Sequence, residues 1–536
     1  MASRPSGIEN DLSPREIQLA GRKSSAFSGG FRLVKHFWRL FKDTAVYGFG
    51  KGILFPLGLI TLPIFTRVFG PDEFGVIELI ITITSLLSLF LIVGMDSATT
   101  RSYFDASTSE HKREVISSGF WFLVVWNLLV VGVVLLFSGR ISSLAFGSGQ
   151  YANLLKIVFV NIPLSLLVAY CQNTIRLQFS PWRFTAVALL SGLSTVGLSL
   201  LLVLEFRMGL WGYFIGILAG NAISLMPALY LSRKDLALAF SPTKLKEMLR
   251  YGVPLVPASL AYYVFSMSDR FFLARFATLA DVGLYSVAVK ISSIMLFFNM
   301  AFGLAWSPFV FKLYAESEER MKEIAGRTAK YVLVFFSLMA VSVTAFSPEL
   351  LRLVTTEQYF GAAIAIAPLC LGGVAYATTQ VTVLGISLAR KTKYIALFSW
   401  VAATVNLGLN ALLVPRFGIL GASIANAVSY AVLTLCYYAV SQKLYHVAFD
   451  RAAILKICLI CLLFVIAATF IVFDNLVLGI FVKLAFILLF GAVIFPLRIF
   501  DAQETAYIKG WFSGFRKVRH ISDLRTWIRN QRGGKN

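Results

Sequence analysis

The chain has 536 residues, of which 58% are hydrophobic and only 14% are charged, and its formal net charge is +22. Ordinary water-soluble domains contain about 25% charged residues, so this composition excludes a soluble globular protein. The basic residues concentrate in alternate connections between apolar segments, which excludes a nucleic-acid-binding surface as the explanation of the positive charge.

The N-terminal region is polar and basic, and it contains no short apolar core before a small-residue cleavage site, so we predict no cleaved signal peptide. Val34, Phe37, Trp38 and Phe41 fall on one helical face, with arginines and lysines between them. This pattern predicts a helix that lies in the membrane surface. We therefore interpret residues 1–43 as a cytoplasmic tail with an amphipathic interfacial helix.

Apolar runs of about 20 residues follow, each long enough to cross a hydrocarbon core as an α-helix. We predict fourteen spans, at 44–66, 76–95, 115–137, 152–171, 184–204, 210–231, 251–273, 283–306, 328–347, 362–387, 394–414, 418–440, 452–473 and 476–498. The alternation typical of a transmembrane barrel is absent, and backbone groups in lipid must bond within their own segment. The predicted fold class is an all-α polytopic membrane protein.

Basic residues are distributed unevenly between the two faces of this arrangement. If the N-terminus is cytoplasmic, the outer loops hold seven basic residues, Arg67, Arg140, Arg207, Arg270, Arg275, Arg352 and Arg416. The inner segments hold most of the others. Cytoplasmic loops carry an excess of lysine and arginine, so both termini are predicted to be cytoplasmic.

The span pattern occurs twice. Arg67 and Arg275, and likewise Gly75 and Gly283, are 208 residues apart, while Arg207-Met-Gly-Leu-Trp-Gly212 and Arg416-Phe-Gly-Ile-Leu-Gly421 are 209 apart. We predict MATE-like parallel-repeat halves, each a six-helix bundle, with helices 13 and 14 added at the C-terminus. The predicted segments are 44–231, a cytoplasmic linker 232–250 with a lead-in helix at Lys244–Tyr251, 251–441, 452–498, and a basic cytoplasmic tail 499–536. Many secondary transporters bind substrate between such repeats.

Ionisable groups inside a membrane are costly, so each is a candidate functional residue. Lys51 and Lys290 either extend their ammonium groups to the membrane surface or face an aqueous cavity that would attract a phosphorylated or acidic substrate. Asp269 is a candidate for ion coupling, because burial favours protonation of a carboxylate, or else a structural partner for an arginine. Arg101 at the inner end of the second span is a binding candidate or an interfacial anchor.

Two amides and four prolines complete the candidate residues. Asn406 and Asn410 share one face of the eleventh span at i, i+4, where they either join helices or bond the hydroxyls of a sugar. Pro56 and Pro63 in the first span, and Pro254 and Pro257 in the seventh, remove helical hydrogen bonds in matching helices. Matching interruptions in two halves predict hinges that bend during alternating access.

No catalytic residue, cofactor or metal site is predicted. The loops between spans have no room for a soluble catalytic domain, the five cysteines lie in or beside apolar segments, and the four histidines lie outside the spans. Cys458-Leu-Ile-Cys461 has the spacing of a redox motif, but it lies within a predicted membrane helix.

Several strings resemble those of the polysaccharide transporters, or oligosaccharide-lipid flippases, of the multidrug/oligosaccharidyl-lipid/polysaccharide exporter superfamily. They are Leu62-Pro-Ile-Phe-Thr-Arg67, Gly70-Pro-Asp-Glu-Phe-Gly75, Gly94-Met-Asp-Ser-Ala98 with Arg101, Ser268-Asp-Arg270, Gly283-Leu-Tyr-Ser-Val-Ala-Val-Lys290, Ala305-Trp-Ser-Pro-Phe309, Lys391-Thr-Lys393 and Pro415-Arg-Phe-Gly-Ile-Leu-Gly-Ala422. Their order and spacing cover about residues 45–440.

The resemblance implies a V-shaped pair of bundles that moves a polyprenyl-diphosphate-linked oligosaccharide from the inner to the outer leaflet for surface polysaccharide assembly. Lys51, Arg101, Arg270 and Lys290 would then hold the diphosphate or acidic sugars. The implied location is the bacterial inner membrane, with polysaccharide polymerase and co-polymerase proteins as partners. Related lipid II flippases have an arginine in the second helix that this chain lacks.

Three alternative functions remain open at the level of the sequence, one of them a non-transporting scaffold for a polysaccharide assembly complex. A multidrug exporter of the same architecture needs acidic residues in its cavity, whereas basic intramembrane residues outnumber acidic ones here. A membrane-bound polysaccharide polymerase or ligase needs a large outer loop with catalytic basic groups, and the outer loops are short.

Overall fold

A computed structural model describes residues 54–473 and 475–494, and every regular element among them is a helix. The interfacial helix predicted before residue 44, Lys51 and the C-terminal tail lie outside the described residues. The helices of the first half are α1 Leu54–Val68, α2 Pro71–Ile92, α3 Met95–Asp105, α4 Ser109–Leu136, α5 Ser138–Phe146, α6 Ala152–Leu177, α7 Pro181–Leu204 and α8 Gly209–Ser232.

The second half follows the linker helix α9 at Pro242–Gly252, which is the predicted lead-in helix. Its elements are α10 Leu255–Phe276, α11 Leu279–Ser292, α12 Ile294–Glu316, α13 Glu318–Ala345, α14 Ser347–Val354, a 3-10 helix Glu357–Ala362, α15 Ala363–Thr382, α16 Leu384–Leu388 and α17 Lys393–Leu444. Two further helices, α18 Arg451–Ala468 and α19 Leu476–Ile494, end the described chain.

Eleven helical segments among the described residues are long and apolar enough to cross a membrane. The predicted count of fourteen is consistent with this number. The described part of the first span is only 15 residues long, and Leu255–Phe276 is less apolar because it contains Asp269 and the arginines beside it. The eleventh and twelfth spans form one continuous segment, α17, with a non-helical backbone at Gly418. The all-α membrane fold is confirmed.

Small residues bring helices of the first half close together. A Cβ atom on Gly216 would lie 2.4 Å from the backbone of Ser199, and one on Gly220 would lie 2.5 Å from the backbone of Thr195. Only a glycine face on α8 allows this separation from α7. Close approach of this kind is the usual basis of helix association in lipid, where apolar burial gives no driving force between helices.

The interface between the halves is formed by α2 on one side and α10 and α11 on the other. The Tyr263 hydroxyl donates to the carbonyl oxygen of Thr82 at 2.5 Å. At the end where α2 begins, the Tyr359 hydroxyl donates to the carbonyl oxygen of Phe69 at 2.8 Å. The interface therefore extends along α2 and places α11 beside its first turns.

The prolines predicted as hinges occupy different helical positions in the two halves. Pro63 lies inside α1, whereas Pro254 caps α10 and Pro257 lies in its first turn. A first-turn proline removes no helical hydrogen bond. In the second half the helix is therefore interrupted at the junction between α9 and α10, not within α10. Pro56 also lies in α1, and bending at these positions stays a prediction.

The C-terminal helices are joined to the second half by a buried ion pair. The Lys483 ammonium, on α19, lies 2.6 and 2.7 Å from the two carboxylate oxygens of Glu349, on α14. The Lys483 side chain is fully buried. This pair, with the packing of α18 and α19 against α13, holds the last two helices against the second half.

Candidate functional site

A buried carboxylate lies at the centre of the interface between the halves. Glu78, on the second turn of α2, is 5% exposed. Its Oε1 lies 2.7 Å from the Lys290 ammonium, and its Oε2 lies 3.7 Å from Nε of Arg270. The first contact is a charge-assisted hydrogen bond, and the second is a longer ion pair. We call these three residues the Glu78 ion-pair cluster.

Glu78 is a site residue that the sequence analysis missed, although two of its partners, Arg270 and Lys290, were identified. The signal was present, because Glu78 is an acidic residue within the predicted span 76–95 and intramembrane carboxylates are rare. The two cations come from the second half and the carboxylate from the first. The cluster therefore bonds one half to the other.

The cluster borders a cavity of about 460 Å³ inside the first half. Its polar lining includes the side chains of Thr61, Glu78, Ser191, Thr195, Ser199, Asn221 and Lys290. The Lys290 side chain is 35% exposed, whereas that of Arg270 is 6% exposed. Among the described residues, this cavity, which we call the central cavity, thus contains one accessible ammonium group, with Glu78 beside it and hydroxyl groups around it.

A second cluster lies in the interior of the second half. Asp269 is fully buried and accepts hydrogen bonds from the Tyr285 hydroxyl at 2.5 Å and from Nδ2 of Asn410 at 2.7 Å. Nδ2 of Asn426 is a more distant donor at 3.4 Å. These four residues, with Asn406, form the Asp269 hydrogen-bond cluster. Its direct partners are neutral donors that satisfy the carboxylate without a charge.

Asn406 and Asn410 belong to this cluster and do not line the central cavity. Oδ1 of Asn406 accepts from the Ser268 hydroxyl at 2.8 Å and from Nδ2 of Asn410 at 3.0 Å. Both amides are fully buried. Of the two roles open for them, the structure supports the joining of helices, since they connect α17 to α10.

Tyr285 connects the two clusters. Its hydroxyl bonds Asp269, and its ring lies 5.8 Å from the guanidinium carbon of Arg270. Arg270 in turn pairs with Glu78. Arg270 therefore contacts both Glu78 and the side chain that bonds Asp269.

Arg101 lies apart from both clusters. Its side chain is 61% exposed, pairs with Asp105 at 3.7 Å, and lies 4.6 Å from the ring centroid of Tyr251 on α9. It joins α3 to the linker helix, as expected of an interfacial anchor. Lys51 lies outside the described residues, so its position relative to the central cavity stays a prediction.

Comparison with known proteins identifies relatives along most of this architecture. The profile of the family described as "Polysaccharide biosynthesis protein" matches residues 64–364, more than half of the chain. "Succinoglycan biosynthesis transport protein ExoT" of Rhizobium meliloti is 24% identical over 262 residues, which cover 48% of this chain and 49% of ExoT. The "Probable low-salt glycan biosynthesis flippase Agl15" of Haloferax volcanii is 23% identical over 396 residues, 73% of this chain and 80% of that protein. The match to ExoT spans about half of that relative's length.

Solved structures share the fold at low sequence identity. An inward closed conformation of the lipid II flippase MurJ matches with a TM-score of 0.69 and 17% identity, covering 84% of this chain and 99% of that one. An inward-facing multidrug resistance MATE family transporter of the MOP superfamily matches with a TM-score of 0.60 and 14% identity, covering 73% and 93%. The resemblance noted from the sequence motifs is confirmed, and the chain belongs to the polysaccharide biosynthesis protein family.

Proposed function

We propose that this protein is a flippase that moves polyprenyl-diphosphate-linked oligosaccharide units from the cytoplasmic to the outer leaflet for surface polysaccharide synthesis. The observation that carries the proposal is the accessible Lys290 ammonium in the central cavity, at the interface between the two repeats. Membership of the polysaccharide biosynthesis protein family supports it, as do the names of the relatives ExoT and Agl15.

In the absence of substrate, Glu78 is the counter-ion of Lys290 and Arg270. Its carboxylate neutralises Lys290 and Arg270, which would otherwise be costly to keep charged at low exposure. A diphosphate that enters the central cavity competes with Glu78 for Lys290 and then for Arg270. Because these cations come from the second half and Glu78 from the first, this exchange weakens a bond between the halves. Substrate binding and alternating access are coupled in this way.

Arg101 and Lys51 are proposed as additional contacts for the diphosphate or acidic sugars. The exposed guanidinium of Arg101 lies at the end of α2 and α3 that the charge distribution assigns to the cytoplasm. A headgroup that leaves the cytoplasmic leaflet meets this end first. Arg101 therefore acts at entry, whereas Lys290 acts in the cavity.

Asp269 is proposed as the ion-coupling residue, with Asn406 and Asn410 as positioning residues. The carboxylate is fully buried among neutral donors, and its free energy therefore depends strongly on whether it is ionised. Tyr285 connects its state to Arg270. Ion binding at Asp269 thus changes the strength of the Glu78 ion-pair cluster and drives the cycle.

Alternating access is proposed to bend α1 near Pro56 and Pro63, and to bend the α9–α10 junction near Pro254 and Pro257. Cysteine pairs that fix the junction should stop translocation when oxidised and permit it when reduced. Equal translocation in the two redox states would contradict the assignment of hinges. We place the protein in the bacterial inner membrane with both termini in the cytoplasm, because of the distribution of lysine and arginine.

The decisive experiment uses cells that lack the protein. Polyprenyl-linked oligosaccharides are extracted and their leaflet is determined by accessibility to an impermeant glycosidase or lectin. We expect completed units to accumulate on the cytoplasmic side while surface polysaccharide is lost, and Lys290→Gln to reproduce this state. A normal leaflet distribution in the deletion strain would reject the proposal.

A multidrug exporter is the second candidate, and one observation favours it. Such a site needs an acidic residue in the cavity, and Glu78 lines the central cavity. The ion pairs to Lys290 and Arg270 argue against it, because they neutralise the carboxylate that a cationic drug would need. Altered sensitivity to cationic compounds in the deletion strain, with normal lipid-linked pools, would support this candidate instead.

A further inference from the structure

A second cavity lies at the end of the first half where α2, α6 and α8 begin. It has a volume of about 470 Å³. We call it the outer-end cavity. Its lining includes the side chains of Glu73, Gln150, Tyr151, Arg207 and Trp211. The distribution of basic residues assigns this end of the helices to the outside of the cell.

The lining combines two kinds of group. Trp211 is 43% exposed and Tyr151 is half-buried, so both offer aromatic surface to the cavity. Glu73, Gln150 and Arg207 are exposed and supply planar acceptors and donors around these rings. A pyranose has an apolar face of C–H groups and a rim of hydroxyls, so aromatic surface and planar polar groups together match its chemistry.

The internal repeat shows which of these residues the fold itself requires. Arg207, Gly209 and Gly212 recur in the second half, and Gly209 and its counterpart Gly418 both have positive φ angles, of 54° and 51°. These positions serve the turn before the helix. Trp211, by contrast, corresponds to Leu420. The turn therefore does not require an aromatic residue at this position.

The dipeptide Gln-Tyr also occurs in both halves, 208 residues apart, with different surroundings. In the second half Tyr359 is fully buried and its hydroxyl bonds the carbonyl oxygen of Phe69, at the interface between the halves. In the first half Tyr151 is half-buried and lines the outer-end cavity, with the ring of Phe146 4.7 Å away. The tyrosine of this motif is thus fully buried in the second half and lines a cavity in the first.

The two cavities lie along the same helix. Trp211 lines the outer-end cavity, and Tyr213, Ile217 and Asn221 of α8 line the central cavity. The Tyr213 ring packs edge-on against Phe65, with ring centroids 5.0 Å apart. The two cavities therefore lie beside successive turns of α8.

Tryptophan also occurs at membrane interfaces as an anchor, without any ligand. Glu73 also caps α2, where its Oε2 accepts from the Gly70 N–H at 3.3 Å, and Arg207 belongs to the repeated turn. The anchor role explains one exposed indole, but it does not explain why Trp211 lines the same cavity as Tyr151 and Gln150. We propose that the outer-end cavity binds the carbohydrate portion of the translocated lipid-linked oligosaccharide on the outer face, an inference that rests on the proposed function for the source of the sugar.

The test is direct binding to lipid-free glycans. The full chain is reconstituted in nanodiscs, labelled, and applied to an array of free oligosaccharides that carry the neutral, amino and acidic sugars of bacterial surface polysaccharides. We expect binding to a subset of them and a loss of at least about tenfold in affinity for Trp211→Leu. Gln150→Ala provides an independent variant of the same cavity.

Trp182→Leu is the matched control, because Trp182 is 69% exposed at the opposite end of α7. It should bind glycans as the unchanged protein does. Absence of glycan binding, or equal binding by Trp211→Leu and the unchanged protein, would overturn the proposal. Trp211-dependent binding in a protein whose deletion leaves lipid-linked units correctly distributed would retain the sugar site and reject the flippase function, so the two failures are distinguishable.

Discussion

Gly75 and Gly283 pack reciprocally across the interface between the two halves. A Cβ atom on Gly75 would lie 1.9 Å from the carbonyl oxygen of Leu279, and one on Gly283 would lie 2.1 Å from the carbonyl oxygen of Pro71. Pro71 and Leu279 begin α2 and α11, so each glycine contacts the first turn of the opposite helix. The repeat spacing of 208 residues thus marks a pair of residues that face each other.

Substitution of either glycine by alanine should force these helices apart. Overpacking costs about 1–3 kcal/mol where neighbours can shift, and here the neighbours are backbone atoms. We expect Gly75→Ala and Gly283→Ala to lower the thermal unfolding temperature in detergent and to reduce surface polysaccharide. Gly132→Ala is the control, because a Cβ at Gly132 meets nothing within 4 Å. Equal stability of all three variants would show that the interface is looser than the structure indicates.

Glu78→Gln should destabilise the protein, because it leaves Arg270 and Lys290 without a carboxylate. Breaking a buried ion pair by removing one partner costs about 3–5 kcal/mol, and access of Lys290 to the cavity places the expected loss near the lower limit. The double variant Glu78→Gln/Arg270→Met should recover part of it. Chemical denaturation in micelles measures both variants, with Glu110→Gln, at an exposed helix end, as control. A double variant that is no more stable than Glu78→Gln would mean that the ion pair does not account for the loss.

Asp269→Asn should reduce translocation while the stability of the fold is kept. The amide keeps an acceptor for the Tyr285 hydroxyl but cannot ionise. Its NH2 group faces Nδ2 of Asn410, and a turn of the Asn410 amide presents its Oδ1, which has no other partner, as the acceptor, so folding should be retained while coupling is lost. We expect translocation to fall about tenfold or more, equivalent to about 1.4 kcal/mol in the barrier. The leaflet assay measures it at matched protein levels. Asp72→Asn, at an exposed position in the first turn of α2, should leave translocation unchanged. Normal translocation by Asp269→Asn would remove Asp269 from the coupling mechanism.

Lys483→Met should loosen α19 from the second half. The fully buried ammonium of Lys483 forms an ion pair with Glu349, and removal of one partner leaves the charge of the other uncompensated. We expect a loss of about 3 kcal/mol in stability, recovered in part by Lys483→Met/Glu349→Gln. Translocation should persist, because this pair is remote in sequence from the site helices and does not line the central cavity. Loss of translocation in a stable double variant would instead assign α19 a role in transport.

The sequence determined the membrane class and the repeat. Lipid solvates apolar side chains and excludes unpaired backbone groups, so the length and hydropathy of each run were sufficient to predict its helix. The arginines and glycines at matching intervals indicated two related halves. Arg270, Lys290 and Asp269 stood out for the same physical reason, since ionisable groups inside lipid are costly.

Only the tertiary structure decided how these residues are paired. Lipid tails and apolar side chains are similar solvents, so hydropathy does not determine which helix faces which. Hydropathy could not show that Glu78 of α2 forms ion pairs with Arg270 and Lys290 of the second half. It also could not show that Asn410 donates to Asp269 across 141 residues of sequence. The surroundings of the repeated Gln-Tyr motif were also decided by the tertiary structure. The full burial of Tyr359 and the partial burial of Tyr151 depend on which helices pack around them, which is a property of the assembled bundle and not of the local chain.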